Sequence, residues 1–296
     1  MKNLSPIILF THIRLNKLKK CITSLKKNKL SKYSKIYIFS DGPKNNNEIN
    51  KIKLVRGYLK QVQGFKKKKI YYRKDNYGLA KNIISGVTEI LKKEKRAIIL
   101  EDDLVFSKNF LSFMNKALNF YEKKKKVFHI SGWNYNLDLK IKEDSFFTRG
   151  MNCWGWATWK NRWKYFEKKP SKILSKWKND KIRMFNFDNS HNFFSQIERN
   201  QNKTLNSWAI FWYATIFNKN KLCLNPRISL TQNIGIGKNS TNTSKVSRIF
   251  ETRLKKEKII KFDFPKQLKE NIFVFNLIKN QFIKNNRNSF IKKLFS

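Results

Sequence analysis

Three consecutive acids, Glu101, Asp102 and Asp103, close the apolar run "RAIIL" in a chain that carries 65 Lys+Arg against 20 Asp+Glu. Carboxylates grouped this way can hold a hard divalent cation, Mn2+ or Mg2+. Such an ion takes oxygen ligands and needs only one or two protein carboxylates when phosphate oxygens supply the rest. A cation there would bridge a diphosphate. The same acids can equally do no more than leave a strand and cap the helix suggested by "SKNFLSFMNKALNFY".

A second concentration of chemistry is aromatic. Trp154, Trp156, Trp159 and Trp163 fall within one short run, with Gly155 between the first two. Ring faces bind the apolar C–H surfaces of sugars, and glycine lets a backbone approach closely. Trp156, Trp159 and Trp163 also sit at helical spacing, which predicts core packing for Trp159 and Trp163 and leaves Trp154 and Trp156 open. Other reactive residues lack pattern. His12, His129 and His191 show no metal spacing and read as strand-end or surface residues. Cys21, Cys153 and Cys223 are too few and too scattered for a disulfide framework or a zinc site. The Gly-x-Gly-Lys at 235–238 lacks the earlier glycine and the hydroxyl of a phosphate cradle. No Gly-x-Ser-x-Gly turn supports a serine hydrolase.

The acids need a scaffold, and the preceding sequence supplies one. "PIILF", "KIYIFS", residues 69–73 and "RAIIL" read as strands, with helices over "RLNKLKKCITSL" and from Leu79 to Ile90 between them. Asp41-Gly42-Pro43 marks a loop after the second strand. This alternation predicts an α/β fold, a Rossmann-like, mainly parallel sheet with helices on both faces. In such sheets ligands bind beyond the carboxyl ends of the strands, where Glu101, Asp102 and Asp103 fall. Further along, the pattern gives a helix at 107–121, a strand at 127–133, an irregular insertion over 164–203, an apolar helix in "NSWAIFWYATIFNKN" and a strand region in "KLCLNPRISL".

With 296 residues and 40% hydrophobic content the chain can bury a substantial core. Its formal net charge of +45 suits nucleic acid, an anionic membrane surface or phosphorylated substrates alike. No run approaches the length of a spanning helix, and the apolar start is too short for a signal-sequence core, so the sequence predicts a cytoplasmic protein, peripheral at most on the inner face of a membrane. The organisation expected is one domain over 1–243, with a nucleotide-binding half to about 105 and an acceptor half from about 106, then a basic helical tail over 244–296. That tail sets Phe275, Ile278, Phe282, Phe290 and Leu294 among lysines, a pattern that can lie on anionic lipid or pack against its own domain.

Taken in order, "FTHIR", "FSDG", "NYGLAKNIISG", "EDDL", "SGWN", "FFTRGMNCWGWATWKNRW" and "SWAIFWYATIFNKNKLCLNPRISLTQNIGIG" resemble the N-acetylglucosaminyltransferase I type of glycosyltransferase and its bacterial relatives, over about residues 5–243. The resemblance implies the GT-A fold, a UDP-sugar donor carrying N-acetylglucosamine, and a glycan or glycolipid acceptor of the cell envelope. It also implies residue roles. Arg14 lies near the nucleotide, Asp41 recognises the base, Lys81 faces phosphate, Asp103 is the metal ligand, and Glu101 and Asp102 hold sugar or ribose hydroxyls. Arg149, Trp154, Trp156 and Trp208 fall in segments similar to the acceptor side.

One departure from the family pattern matters. Relatives carry an acid just ahead of the Trp at position 208, implied as the base of an inverting transfer, whereas this chain has Asn206 and Ser207. Neither accepts a proton usefully near neutral pH. Asp180, Asp188 and Glu198 in the insertion are the substitutes, each of which also reads as a solvated surface acid. Two rival readings remain at this stage, a glycan- or lipid-binding homologue without catalysis and a single-stranded nucleic-acid binder. The second is disfavoured, and no nucleic-acid partner is expected, because acids at 101–103 repel phosphate unless a cation intervenes.

Overall fold

A computed structural model describes residues 4–235, 248–254 and 262–294, with side chains described up to 286. The first half alternates as its sequence pattern predicts: β1 (Ile7–Thr11), α1 (Leu15–Lys26), β2 (Lys35–Ser40), α2 (Ile49–Gln61), β3 (Lys67–Tyr72), α3 (Gly78–Lys93) and β4 (Arg96–Glu101). The second half contains β5 (Leu104–Phe106), α4 (Phe110–Phe120), β6 (Val127–Ser131), β7 (Ser145–Thr148), β8 (Trp156–Trp159), α5 (Lys160–Trp163), α6 (Pro170–Lys176), α7 (Asn179–Phe185), α8 (Ser195–Gln201), α9 (Ala209–Asn218), β9 (Leu222–Pro226), β10 (Thr231–Asn233) and α10 (Ile272–Leu294).

Eight strands form one sheet in the order β3-β2-β1-β4-β8-β6-β9-β7, and β5 pairs with β10 in a small second ladder. β1, β2, β3, β4, β6 and β9 run one way, while β7 and β8 run against them. Both sheet faces are covered, so strand residues alternate between two cores rather than between core and water. Ile7 and Leu9 of β1 pack with α1, α2 and α4, whereas Ile8 and Phe10 pack with α3, α5 and α9. The chain steps outward from β1 to β2 to β3 and then returns to place β4 on the other side of β1. That reversal opens a crevice between β1 and β4 at their carboxyl ends, the usual ligand position in an open α/β sheet.

Two expectations change in the second half of the chain. Trp159 and Trp163 are core residues as expected, 2% and 4% exposed, but Trp156 and Trp159 belong to a strand and not to a helix. Their spacing of three therefore puts them on opposite faces of the sheet, Trp159 with α4 and Trp156 with α9. The insertion at 164–203 is also more regular than expected, since α6, α7 and α8 gather around Trp177, Phe185 and Ile197.

The segment expected as a tail takes part in the core. Phe262 and Phe264 pack on Phe113, and Tyr121 Oη donates to the Pro265 carbonyl at 2.8 Å. Val274, Phe275, Ile278 and Phe282 of α10 are buried among Trp133, Tyr135 and Phe187. The expected boundary at 243/244 and the side chains of Phe290 and Leu294 lie outside the described residues. Among the described residues no helix is long and apolar enough to cross a membrane.

Candidate active site

Strand register brings the site together. Phe10 pairs with Phe39 on β2 and with Glu101 on β4, so the three strands end level. Beyond β1, helix α1 starts without a side-chain cap, and the preceding Arg14 turns across the crevice. Its Nη2 donates to Asp102 Oδ1 at 2.6 Å and its Nη1 to Asp103 Oδ2 at 2.9 Å. One planar guanidinium thus holds two successive carboxylates.

The two acids differ in what remains available. Asp102 is 1% exposed, and its Oδ2 also accepts from Thr11 Oγ1 at 2.7 Å and from the His12 N–H at 3.2 Å. Bonded at both oxygens and sealed from solvent, it joins the β1 end to the β4 end. The expected contact of Asp102 with a sugar or ribose hydroxyl would share these oxygens with Arg14, Thr11 and the His12 N–H. Asp103 meets Arg14 through Oδ2 alone, and no hydrogen bond among the described residues reaches its Oδ1.

Charge is unbalanced here. Three carboxylates face one guanidinium, and desolvation followed by the Asp103 charge pushes Glu101 up to about 8, although its side chain keeps some exposure. Desolvation likewise raises Asp103 despite the opposing pull of Arg14. Burial works against the charge on Arg14, yet the attraction of Asp102 and Asp103 leaves its pKa raised. A dication would relieve this repulsion, and an Asp103 oxygen with no hydrogen bond among the described residues is the donor chemistry that Mn2+ or Mg2+ takes. Among the described residues no three His, Cys, Asp or Glu side chains form a complete cage. The residues present therefore fit an ion that completes its shell from phosphate and water.

β10 closes one side of the crevice. The Ile234 N–H donates to the Asp103 carbonyl at 2.8 Å, and the Gly235 N–H donates to Asn233 Oδ1 at 2.6 Å. A Cβ at Gly235 would collide with Asp103 Oδ2, so this glycine is required by a close approach. Thr231 Oγ1 donates to the Trp154 carbonyl at 2.8 Å, which ties the aromatic loop to the same wall. Desolvation and then the Glu101 charge push the neighbouring Cys153 thiol up.

On the β2 side, Asp41 Oδ1 accepts from the Gly42 and Tyr77 N–H groups at 3.0 and 2.9 Å, and Asn76 Nδ2 approaches its Oδ2 at 3.4 Å. Asp41 is 4% exposed and builds the loop through Oδ1, while its Oδ2 meets only the 3.4 Å approach of Asn76 among the described residues. His12, which the sequence marks only as a strand-end or surface residue, joins this network through Nε2, 3.0 Å from the Gly42 carbonyl, 3.2 Å from Asn76 Nδ2 and 3.2 Å from Glu48. Lys81 lies 4.3 Å from the centre of the Tyr77 ring, and the Arg73 guanidinium lies 4.8 Å from the same ring. Lys81 adds positive charge beside this loop, while Arg73 also lies over the Phe39 ring and 3.8 Å from Glu89.

The structure thus gathers Arg14, Glu101, Asp102 and Asp103, with Asp41 just beyond β2 and Lys81 in the first turn of α3. Other expected site residues lie elsewhere. Trp156 is 1% exposed and stacks on Trp208, itself 3% exposed, at 5.0 Å, so neither presents a free face to an acceptor. Arg149 is bound by Glu270 through contacts of 2.6–3.2 Å and acts as a structural clamp. Trp154 is half-buried, edge-on to Trp133 at 4.9 Å, and is the one of the three expected acceptor tryptophans with exposed ring surface. Asp180 has 93% of its side chain exposed and faces Arg183, Asp188 pairs with Lys279, and Glu198 is exposed on α8. No hydrogen bond or ion pair among the described residues links these three acids to the Arg14 cluster. They stand in solvent because the insertion helices turn their apolar sides inward.

No protein-family model matches the chain, and no curated protein sequence matches it. Solved structures give distant likenesses. GalNAc-T7, crystallised with UDP, GalNAc and Mn2+, matches 76% of this chain and 43% of its own at 12% identity and TM-score 0.48. S. aureus TarS matches 49% of this chain and 24% of its own at 14% identity and TM-score 0.33. The mannosyltransferase PcManGT of Pyrobaculum calidifontis, in complex with GDP-Man and Mn2+, matches 73% of this chain and 69% of its own at 7% identity and TM-score 0.40. The chain spans less than half the length of the first two.

Proposed function

We propose that the protein is a metal-dependent glycosyltransferase of the GT-A type that binds a nucleotide-diphosphate sugar at the β1–β4 crevice. The observation that carries this reading is the Arg14 fork on Asp102 and Asp103, an over-acidic cluster at the switch point of a sheet in a strongly basic chain. Asp103 would hold Mn2+ or Mg2+, which when bound spreads the charge of a diphosphate leaving group. Asp102 fixes the strand ends, Arg14 sets the orientation of both carboxylates, and Lys81 offers positive charge to the anionic donor. Donation of N-acetylglucosamine from UDP, inversion at the anomeric carbon and a cell-envelope acceptor belong to the same proposal and rest on the resemblance of the motifs.

A second reading, donor binding without transfer, is favoured by one feature: Asn206 and Ser207 precede Trp208, and Asp180, Asp188 and Glu198 stand in solvent. The test is a thermal-shift and calorimetric screen of UDP-sugars with and without Mn2+, followed by a transfer assay. Metal-dependent donor binding supports the site, because a ligand of the native state raises its apparent stability. Transfer supports the enzyme, and binding without transfer supports the second reading. No nucleotide sugar binding under any metal condition would overturn both.

A further inference from the structure

Away from the crevice, α3, α6, α7 and α9 surround a groove of about 820 Å³ in which seven of the sixteen lining residues are lysines and one, Glu167, is an acid. A second groove of about 610 Å³ shares Lys164, Tyr165, Asn218 and Lys219 with it and adds Lys125 and Lys221. Together they make one continuous basic face. Glu167 is already paired with Lys169 and Lys172 at 3.4 and 2.8 Å. No carboxylate among the described residues forms an ion pair with Lys164, Lys176, Lys181 or Lys219. Among the described residues Lys181 meets the Asn218 side-chain oxygen and the Trp177 ring, and Lys164 and Lys219 lie over Tyr165 at 5.0 and 4.1 Å.

We propose that this face docks on a membrane surface rich in anionic phospholipid headgroups. Lysines with no carboxylate partner among the described residues, spread over two joined grooves, match an array of phosphates better than one phosphate, and long lysine stems can follow headgroups at different depths. Tyr165, 41% exposed, is an amphipathic residue suited to the same interface. A single-stranded nucleic acid is the competing polyanion, but it needs an open aromatic face for base stacking. Tyr165 offers none: Phe128 stacks on it at 6.0 Å, and the two lysines lie against its ring. In α10, the other lipid-facing candidate, Val274, Phe275, Ile278 and Phe282 are buried against the domain. This inference does not depend on the glycosyltransferase reading.

The test is co-sedimentation of the full chain with phosphatidylcholine vesicles, with and without phosphatidylglycerol, at physiological salt. The wild-type protein should bind only the anionic vesicles. Combined Lys164→Glu, Lys176→Glu and Lys219→Glu should lower that binding by more than about tenfold. An equal charge change on another surface, Lys26→Glu, Lys29→Glu and Lys32→Glu, should lower it by less than about threefold. The milder Lys164→Gln, Lys176→Gln and Lys219→Gln set, checked by thermal melting, serves if charge reversal prevents folding. Equal losses in the two triple variants, no preference for anionic vesicles, or groove-dependent binding of single-stranded nucleic acid in place of vesicles would each overturn the proposal.

Discussion

Gly235 lies against the Asp103 carboxylate so closely that a methyl group on its Cα would occupy the space of Oδ2. Its φ is not in the left-handed region, so backbone conformation is not what requires glycine. The requirement is room for the carboxylate. Gly235→Ala is therefore expected to push Asp103 out of the Arg14 fork, weakening Mn2+-dependent donor binding by more than about tenfold while costing about 1–3 kcal/mol of stability. Calorimetry on the donor and a thermal melt separate the two effects. Unchanged donor affinity would show that Asp103 does not need its present position.

Asp102 and Asp103 should respond oppositely to neutralisation. Asp102→Asn turns an amide toward the Thr11 hydroxyl, the His12 N–H and Arg14, and is expected to cost about 3 kcal/mol because buried donors lose their acceptor. Asp103→Asn removes a carboxylate from an over-acidic cluster, so it should leave stability equal or higher while abolishing metal-dependent donor binding. Denaturant titration and donor calorimetry on the two variants read this contrast. Equal stability losses would mean that both acids are structural.

The division between these acids was not legible in the sequence, and the reason is distance along the chain. "RAIIL" followed by three acids marks a buried strand with a polar exit, since a strand covered on both faces reads as a continuous apolar run. Which acid is consumed depends on Arg14, 88 positions away from Asp102, and on Gly235 closing from the other side. The parallel half of the sheet was readable for the same reason as β4. β8 was not, because Trp156 and Trp159, three apart, mimic one side of a helix when each in fact fills a different core. Helix α2 gives a weak signal, with Ile52, Val55 and Leu59 buried in a lysine-rich stretch. β5 and β10 are too short to show alternation and form only because they pair with each other.

Arg149 tests the difference between a clamp and a ligand contact. Its guanidinium and backbone N–H both bind Glu270, joining the end of β7 to the entry of α10. Arg149→Ala should lower stability by about 1–3 kcal/mol and leave metal-dependent donor affinity within about twofold. A fall in acceptor turnover at unchanged stability would restore a substrate role.

His129 gives the pH dependence its sign. Trp212 Nε1 can only donate, so its 3.2 Å contact makes His129 Nδ1 an acceptor, and Nε2–H then donates to the Asn152 carbonyl at 3.0 Å. The ring also stacks under Trp156 at 5.4 Å. Desolvation lowers this imidazole from 6.5 to about 3, so the folded protein keeps it neutral where the unfolded chain is protonated. A depressed folded pKa contributes stability that is fully present above the unfolded value and is lost as pH falls toward the folded one. The expected loss from this residue runs from about pH 6.5 downward, with a limiting slope of about 1.4 kcal/mol per pH unit. His129→Gln keeps a donor and an acceptor but cannot titrate. Its stability should be lower than wild type near neutral pH and should fall less steeply between pH 6 and pH 4. Parallel stability–pH curves for the two proteins would show that the imidazole is protonated within the folded core.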